Sequence, residues 1–360
     1  MEETDYLLAL SQCALMGPSR LARLRAFFNS WEKAWSASQR ELQNSGLEGK
    51  IASRLTIFRK KFNYKHFLVF LERHNIKTLT RDEVGYPKLL KQIYLPPPLL
   101  YYRGKIELCD RPTIAIVGTR KPSAYGKQVA EKIVAELVEA GLTIISGLAL
   151  GIDALTHEIT LTKKGHTVAV LGSGPEAIYP IANFHIGESI AERGCLLSEF
   201  RPGIPPLKSN FPRRNRLIAG LCLGTLVIEA SEKSGSLITA RHALQENREV
   251  MMIPGNIYSP LSSGTNAFIQ MGARLITCAQ DILSALGLEQ AMGQSSLLAP
   301  QTLSLDERNI VEQLGYEPLH INELVRALKL DISLINSRLT IMEIKGLVKN
   351  IGNMNYIRLF

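Results

Sequence analysis

Cysteine is scarce in this sequence. Cys13, Cys109, Cys195, Cys222 and Cys278 are scattered, odd in number and never paired as CxxC. That pattern argues against a zinc site and a disulfide framework, and for the reduced thiols of a cytoplasm. No apolar run is long enough to span a bilayer, and the acidic opening Met1-Glu2-Glu3-Thr4-Asp5 is wrong for a signal peptide. A cytoplasmic protein without membrane insertion is the expectation. Two nucleotide fingerprints are also missing. No GxGxxG follows the first apolar strand with an acidic residue closing the second, and no G-x-x-x-x-G-K-[ST] occurs. No cofactor and no metal are expected.

The 360 residues leave room for two or three domains. Net charge is +9, which favours polyanionic partners, and its distribution is uneven. Residues 1–110 hold 18 Lys and Arg against 11 Asp and Glu, residues 111–290 hold 17 against 15, and residues 291–360 hold 7 of each. To about residue 80 the pattern is helical, with breaks at Gly17-Pro18-Ser19 and Ser45 to Gly49, and predicts a small helical module of the SAM or helix-hairpin kind over 1–80. Leu95-Pro96-Pro97-Pro98-Leu99 reads as a rigid extended connector.

From residue 111 short apolar strands alternate with amphipathic helices. The strands are placed at 113–118, 142–147, 167–172, 195–198, 225–228 and 250–253. Strands apolar on both faces imply a parallel sheet covered on both sides, so residues 81–286 are assigned a doubly wound, Rossmann-like α/β fold. Residues 287–303 read as a linker. Residues 304–360 read as three helices and a hairpin turning at Gly352-Asn353, a winged-helix domain. Its neutral charge makes protein docking at least as good a reading as groove binding.

Residues 211 to 216, Phe-Pro-Arg-Arg-Asn-Arg, carry the sharpest chemical signal. Phe211 offers a ring on which a base can stack, and Arg213, Arg214, Asn215 and Arg216 offer donors for phosphate oxygens. Lys208 lies just upstream, where a loop becomes a helix running through Leu217-Ile218-Ala219. In an open parallel sheet ligands bind beyond the carboxyl ends of the strands. There the sequence places small residues repeatedly: Gly118-Thr119-Arg120, Gly147, Gly172-Ser173-Gly174, Ser234-Gly235-Ser236 with Thr239, and Pro254-Gly255. Glycines let backbone N–H groups approach a phosphate. Asp153 and His157 sit at i, i+4 and invite an acid–base reading, against which stands an early-turn carboxylate with a partly buried neighbour. Glu229 is the best carboxylate for hydrolysis if any occurs.

In order along the chain come Tyr86-Pro87, Val117-Gly118-Thr119-Arg120, Ser146-Gly147-Leu148-Ala149, Tyr179-Pro180, Ser198-Glu199, Phe211–Arg216, Ser234–Ala240 and Pro254-Gly255. With these motifs the sequence resembles the bacterial DNA-processing protein A (DprA/Smf) family, densely over 80–280. The resemblance implies a non-enzymatic, dimeric protein of natural transformation that binds and protects incoming single-stranded DNA and loads RecA. Arg120, Lys208 and Phe211–Arg216 carry over as strand-binding residues. Asn266, Ile269 and Leu275 fall where family members pair; the alternative is a helix face packed internally. Phe211 is either a stacking platform or a core aromatic. Thr119 replaces the more usual Ser, and Pro175 follows Gly174 where the family turn is more permissive. A competing class, a nucleoside-monophosphate phosphoribohydrolase, shares the glycine-rich strand ends but needs a carboxylate in the loop that here reads Ser234–Ala240.

Overall fold

In the computed structural model the described residues are 2–289, 305–314, 318–328, 330–344, 347–352 and 354–358. They fall into two units, 1–293 and 294–360. The expected linker lies outside the described residues from 290 onward.

Six helices open the first unit: α1 (Glu3–Gln12), α2 (Pro18–Phe28), α3 (Trp31–Ser36), α4 (Gln39–Asn44), α5 (Gly49–Lys61) and α6 (Tyr64–Arg73). Their boundaries follow local chemistry. Pro18 takes the first helical position of α2, where its missing N–H does no harm. Ser30, Ser38 and Asn63 accept hydrogen bonds from the orphan N–H groups of Lys33, Glu41 and His66. Leu10, Leu24, Leu42 and Leu55 are completely buried between them. Tyr101 joins this core from the sheet, where its hydroxyl shares a 2.6 Å hydrogen bond with Ser11 Oγ and accepts one of 2.7 Å from Gln12. The helical layer is thereby fastened to one end of the sheet.

The sheet has nine strands: β1 (Lys77–Thr80), β2 (Leu99–Gly104), β3 (Thr113–Val117), β4 (Thr143–Ser146), β5 (Thr167–Val170), β6 (Cys195–Ser198), β7 (Gly224–Val227), β8 (Glu249–Met252) and β9 (Arg274–Leu275). Their spatial order is β1-β2-β6-β5-β4-β3-β7-β8-β9. From β6 across to β9 every pairing is parallel, and the chain order reverses at β3. The doubly wound arrangement read from the sequence is present, and β3 is its switch point. Three strands were not anticipated: β1, β2 and the two-residue β9. β1 pairs antiparallel with β2, and β2 antiparallel with β6. Four residues are too few to show a period, and the prolines before Leu99 hide the start of β2.

Helices cover both faces: α7 (Lys88–Lys91), α8 (Ala124–Glu139), α9 (Ile152–Thr162), α10 (Phe184–Arg193), α11 (Asn210–Gly220), α12 (Ser236–Gln245), α13 (Ser263–Gln270) and α14 (Ala279–Ala285). One face buries Ala115, Val117, Val168 and Val170 against α11 and α12; the other buries Ile114, Ile116 and Ile144 against α8 and α14. Every side chain of β3 to β7 is buried, as continuous apolar strands require. Among the described residues no helix is long and apolar enough to cross a membrane.

The second unit comprises α15 (Leu305–Gln313), β10 (Leu319–His320), α16 (Ile321–Leu328), α17 (Ile332–Ile344), β11 (Val348–Gly352) and β12 (Asn355–Arg358). Ile310, Leu324, Ile335, Leu339, Met342, Val348 and Tyr356 form its core. Its three helices and its hairpin are those expected from the sequence, although Asn353 of the predicted turn lies outside the described residues.

Candidate nucleic-acid interface

A cavity of about 490 Å³ opens at the carboxyl edge of the sheet beside its switch point. Four segments far apart in sequence meet there. Gly118, Thr119 and Arg120 follow β3, and Ala149 and Asp153 follow β4. Lys208, Phe211, Arg214 and Asn215 belong to the connection into α11 and its first turns, and Ser234, Gly235, Ser236 and Thr239 lead into α12. Both α11 and α12 begin at this rim. Their first N–H groups and macrodipoles favour an anion there. Arg120 and Lys208 are exposed, so their charges face solvent at the mouth.

The hexapeptide lies wholly within α11, which starts at Asn210. Helical geometry then separates its arginines, since successive side chains diverge by about 100°. Arg213 points outward, exposed, with its guanidinium 5.3 Å from the ring centre of Phe200. Arg214 points inward and is 4 % exposed. Its Nη1 donates to the carbonyls of Gly147, at 2.7 Å, and Val170, and its Nε to Asn215 Oδ1. The guanidinium therefore ties the ends of β4 and β5 to α11. A Cβ on Gly147 would lie 2.6 Å from this group, so the glycine makes the seat possible. Burial lowers the pKa of Arg214 to about 10, opposed by Asp153 and aided by Arg120. It remains a cation at neutral pH.

Asp153 accepts from the N–H groups of Gly147 and Ala149. Burial pushes its carboxyl up, against the pull of Arg214 and those donors. His157 shares a 2.7 Å hydrogen bond with Thr167 Oγ1 and is held neutral, its pKa lowered to about 3 by burial first and Arg214 second. Glu229 accepts from the N–H and the hydroxyl of Ser123, the residue that caps α8. These groups are engaged in supporting the site. Among the described residues no cluster of His, Cys, Asp or Glu could hold a metal ion.

Arg216 donates to the carbonyl of Leu95 at 2.5 Å and pairs with Glu199, whose side chain is 2 % exposed. Burial raises the pKa of Glu199, while Arg216 and then Arg213 oppose it. Of the sequence-derived candidates, Gly147, Gly174, Arg213 and Arg216 do not line the cavity. The N–H of Gly174 donates to the carbonyl of Ile204. Phe211 does line it, half-buried. Its ring lies 5.8 Å from that of Tyr179 and so close to Gly172 that a Cβ there would approach within 2.9 Å. Tyr179 went unread as a neighbour of this site; only its place in the Tyr-Pro motif marked it. Asn266 uses its amide on the backbone of Gly255, Ile269 packs on the main core, and Leu275 is 46 % exposed on edge strand β9.

Residues 77–287 match the family model described as DNA recombination-mediator protein A, and residues 294–352 match the DprA winged helix domain. Protein Smf of Synechocystis is 36 % identical over 393 residues, covering 99 % of each chain. The chain belongs to the DNA recombination-mediator protein A family. Within that family, the DNA processing protein DprA of Streptococcus pneumoniae is 46 % identical over 199 residues, 55 % of this chain and 70 % of that one. An X-ray structure of the S. pneumoniae protein superposes with TM-score 0.70 and 34 % identity, over 79 % of this chain and 98 % of that one. DNA processing protein A of Helicobacter pylori, solved for its unique single-stranded DNA binding mode, superposes with TM-score 0.53 and 33 % identity. That likeness covers 59 % of this chain and 95 % of the other. The first of the two family matches contains the whole cavity.

Proposed function

We propose that this member of the recombination-mediator family binds single-stranded DNA in the cavity at the switch point. The observation that carries the reading is the meeting of exposed Arg120 and Lys208 with the half-buried ring of Phe211 over two helix N-termini. Cations clamp phosphates and an aromatic face stacks any base, so the combination serves a strand of arbitrary sequence. The single-stranded DNA binding described for the H. pylori relative supports the same reading. Gly118, Thr119, Asn215, Ser234, Gly235, Ser236 and Thr239 complete the lining as small or hydrogen-bonding groups. Arg214 and Gly147 act from beneath by holding α11 against β4 and β5.

The protein is a binder rather than an enzyme in this reading, because Asp153 and Glu229 are both committed to backbone and capping donors. Its task is to protect an incoming strand in the cytoplasm during natural transformation and to load RecA on it. It acts as a homodimer joined through α13 and the open edge at β9, where Leu275 is exposed.

Fluorescence anisotropy of labelled dT oligomers and matched duplex across a salt series tests the site. Wild type should prefer the single strand. Lys208→Ala and Arg120→Ala should each weaken binding and reduce the log–log salt slope by about 0.7, the value of one phosphate contact. Unchanged affinity and slope in both variants, with folding intact, would sink the reading. Equal, weak binding of both nucleic acids would redirect it to a small nucleotide.

A further inference from the structure

A second cleft, of about 420 Å³, lies where α5 and α6 meet the turn at Pro202-Gly203. Phe58, Phe62, Phe67 and Phe70 line it, with Lys61 and His66 among its polar residues. Phe58 and Phe62 are stacked with ring centres 4.9 Å apart, and Phe67 stands 5.9 Å from Phe62. Of the four, Phe67 alone is buried; the other three rings keep part of their surface open. Lys61 and His66 are exposed in the lining of the cleft, and Lys60 and Lys65, their neighbours in sequence, are exposed as well. From Gly49 to Leu71 the chain carries no Asp or Glu, but Lys50, Arg54, Arg59, Lys60, Lys61 and Lys65. Much of the basic excess of the N-terminal third is therefore concentrated on the two helices that bear the cleft.

The cleft also continues the first site. The segment leaving β6 passes it at Pro202-Gly203 and reaches the cavity at Lys208. Four residues separate Gly203 from Lys208, so the five steps between them cover at most about 18 Å of chain at full extension. Hydrogen bonds from Gly203 N–H to Glu176 and from Gly174 N–H to Ile204 hold the segment in place. Arg201 and Arg213 lie along it, the latter over Phe200. Stacked single strand rises about 3.4 Å per nucleotide, so at most about five nucleotides bridge the two sites.

We propose that the cleft is a second base-binding subsite for the same DNA strand, with a base against Phe62 and Phe70 and phosphates at Lys61 and His66. Aromatic faces interleaved with lysines suit that ligand, and bind it without regard to sequence. The inference rests on the reading of the first cavity as a single-strand site.

The test uses the full chain with dT oligomers of about 4 and about 20 nucleotides, the first too short to span both sites and the second long enough to do so. The expected result is that the double variant K61A/H66A binds the long oligomer about tenfold more weakly and the short one as wild type does. Both residues are exposed, so folding is not at stake. Phe70→Ala should act in the same direction, and a 2-aminopurine in the distal half of the long oligomer should be quenched by wild type but not by that variant. Lys208→Ala should weaken both lengths. Wild-type binding of the long oligomer by K61A/H66A, with Lys208→Ala still weakening both, overturns the subsite and leaves the first cavity standing. Equal loss at both lengths in the double variant overturns it too. No effect of Lys208→Ala removes the cavity reading and the subsite with it.

Discussion

The two flanks of α11 are built from the same residue type and do different things. On the outer flank Arg213 is exposed, its guanidinium over Phe200. On the inner flank Arg214 is almost completely buried and donates to backbone carbonyls at the ends of two strands. Arg216, two residues further on, is spent on Glu199 and Leu95. A cluster of arginines in a sequence therefore does not equate to a cluster of ligand contacts. Burial decides which guanidinium holds the scaffold and which faces water, and helical spacing decides burial.

The contrast is sharpest in stability. Arg214→Ala leaves Asp153 without its neighbouring cation and two buried carbonyls without donors. Each buried acceptor left without a donor costs about 1–3 kcal/mol, and urea denaturation should show a loss of at least that order. Arg214→Lys should not restore it, because an ammonium cannot reproduce the planar fork. Arg216→Ala strands the buried Glu199 and belongs with it. On the outer side, Lys208→Ala should change stability by less than about 0.5 kcal/mol while weakening the strand. An Arg214→Ala protein as stable as wild type would erase the distinction between the flanks.

Phe211 stands at the boundary between them, half-buried beside Gly172 yet open to the cavity. Both sequence readings of this ring thus describe part of its surroundings. Stacking on an aromatic is worth about 1–3 kcal/mol per base. Phe211→Ala should therefore weaken dT binding by that amount with the salt slope unchanged, since no phosphate contact goes. A reduced slope instead would mean that the substitution had displaced Lys208.

Much of this was legible beforehand, and for identifiable reasons. Six of the seven parallel strands announce themselves as continuous apolar runs, and their small carboxyl-terminal residues mark the edge at which the cavity forms. Arg120, Lys208, Phe211 and the Ser234–Thr239 loop were named before they were seen to converge, because the switch-point rule states where strand ends meet. Glu199 and Val170, the partners of Arg216 and Arg214, were not legible in those roles. Such contacts depend on tertiary register, which local periodicity does not encode. The aromatic cleft escaped for the converse reason. Phe58, Phe62, Phe67 and Phe70 recur at helical spacing and look like core, and only packing reveals that three of them remain open.

Acid should probe the inner flank more gently. His157 has a folded pKa of about 3, against about 6.5 when unfolded. Between those values the unfolded chain binds a proton that the folded chain refuses. The stability contributed by the neutral imidazole is full above pH 6.5 and is lost as pH falls toward 3, by at most about 1.4 kcal/mol per pH unit. Asp153, raised by burial, opposes this at the acid end. Unfolding free energies from urea titrations at pH 7 and pH 5 should differ by about 1–2 kcal/mol in wild type and by less in His157→Gln. Equal pH dependence in the two proteins would show that the buried imidazole is not the acid-sensitive group.

The smallest effect belongs to the outermost arginine. Arg213→Ala removes an exposed group whose contact with Phe200 is worth about 0.5–1 kcal/mol at such a site. Stability should hardly move. If the DNA strand follows the segment from Lys208 toward Pro202, Arg213 lies beside its path, and the variant should lose a few-fold in affinity for long dT oligomers and nothing for short ones. If it lost as much on short oligomers as Lys208→Ala does, Arg213 would belong to the first cavity after all. The outer flank would then be one continuous phosphate clamp rather than two sites joined by a bridge.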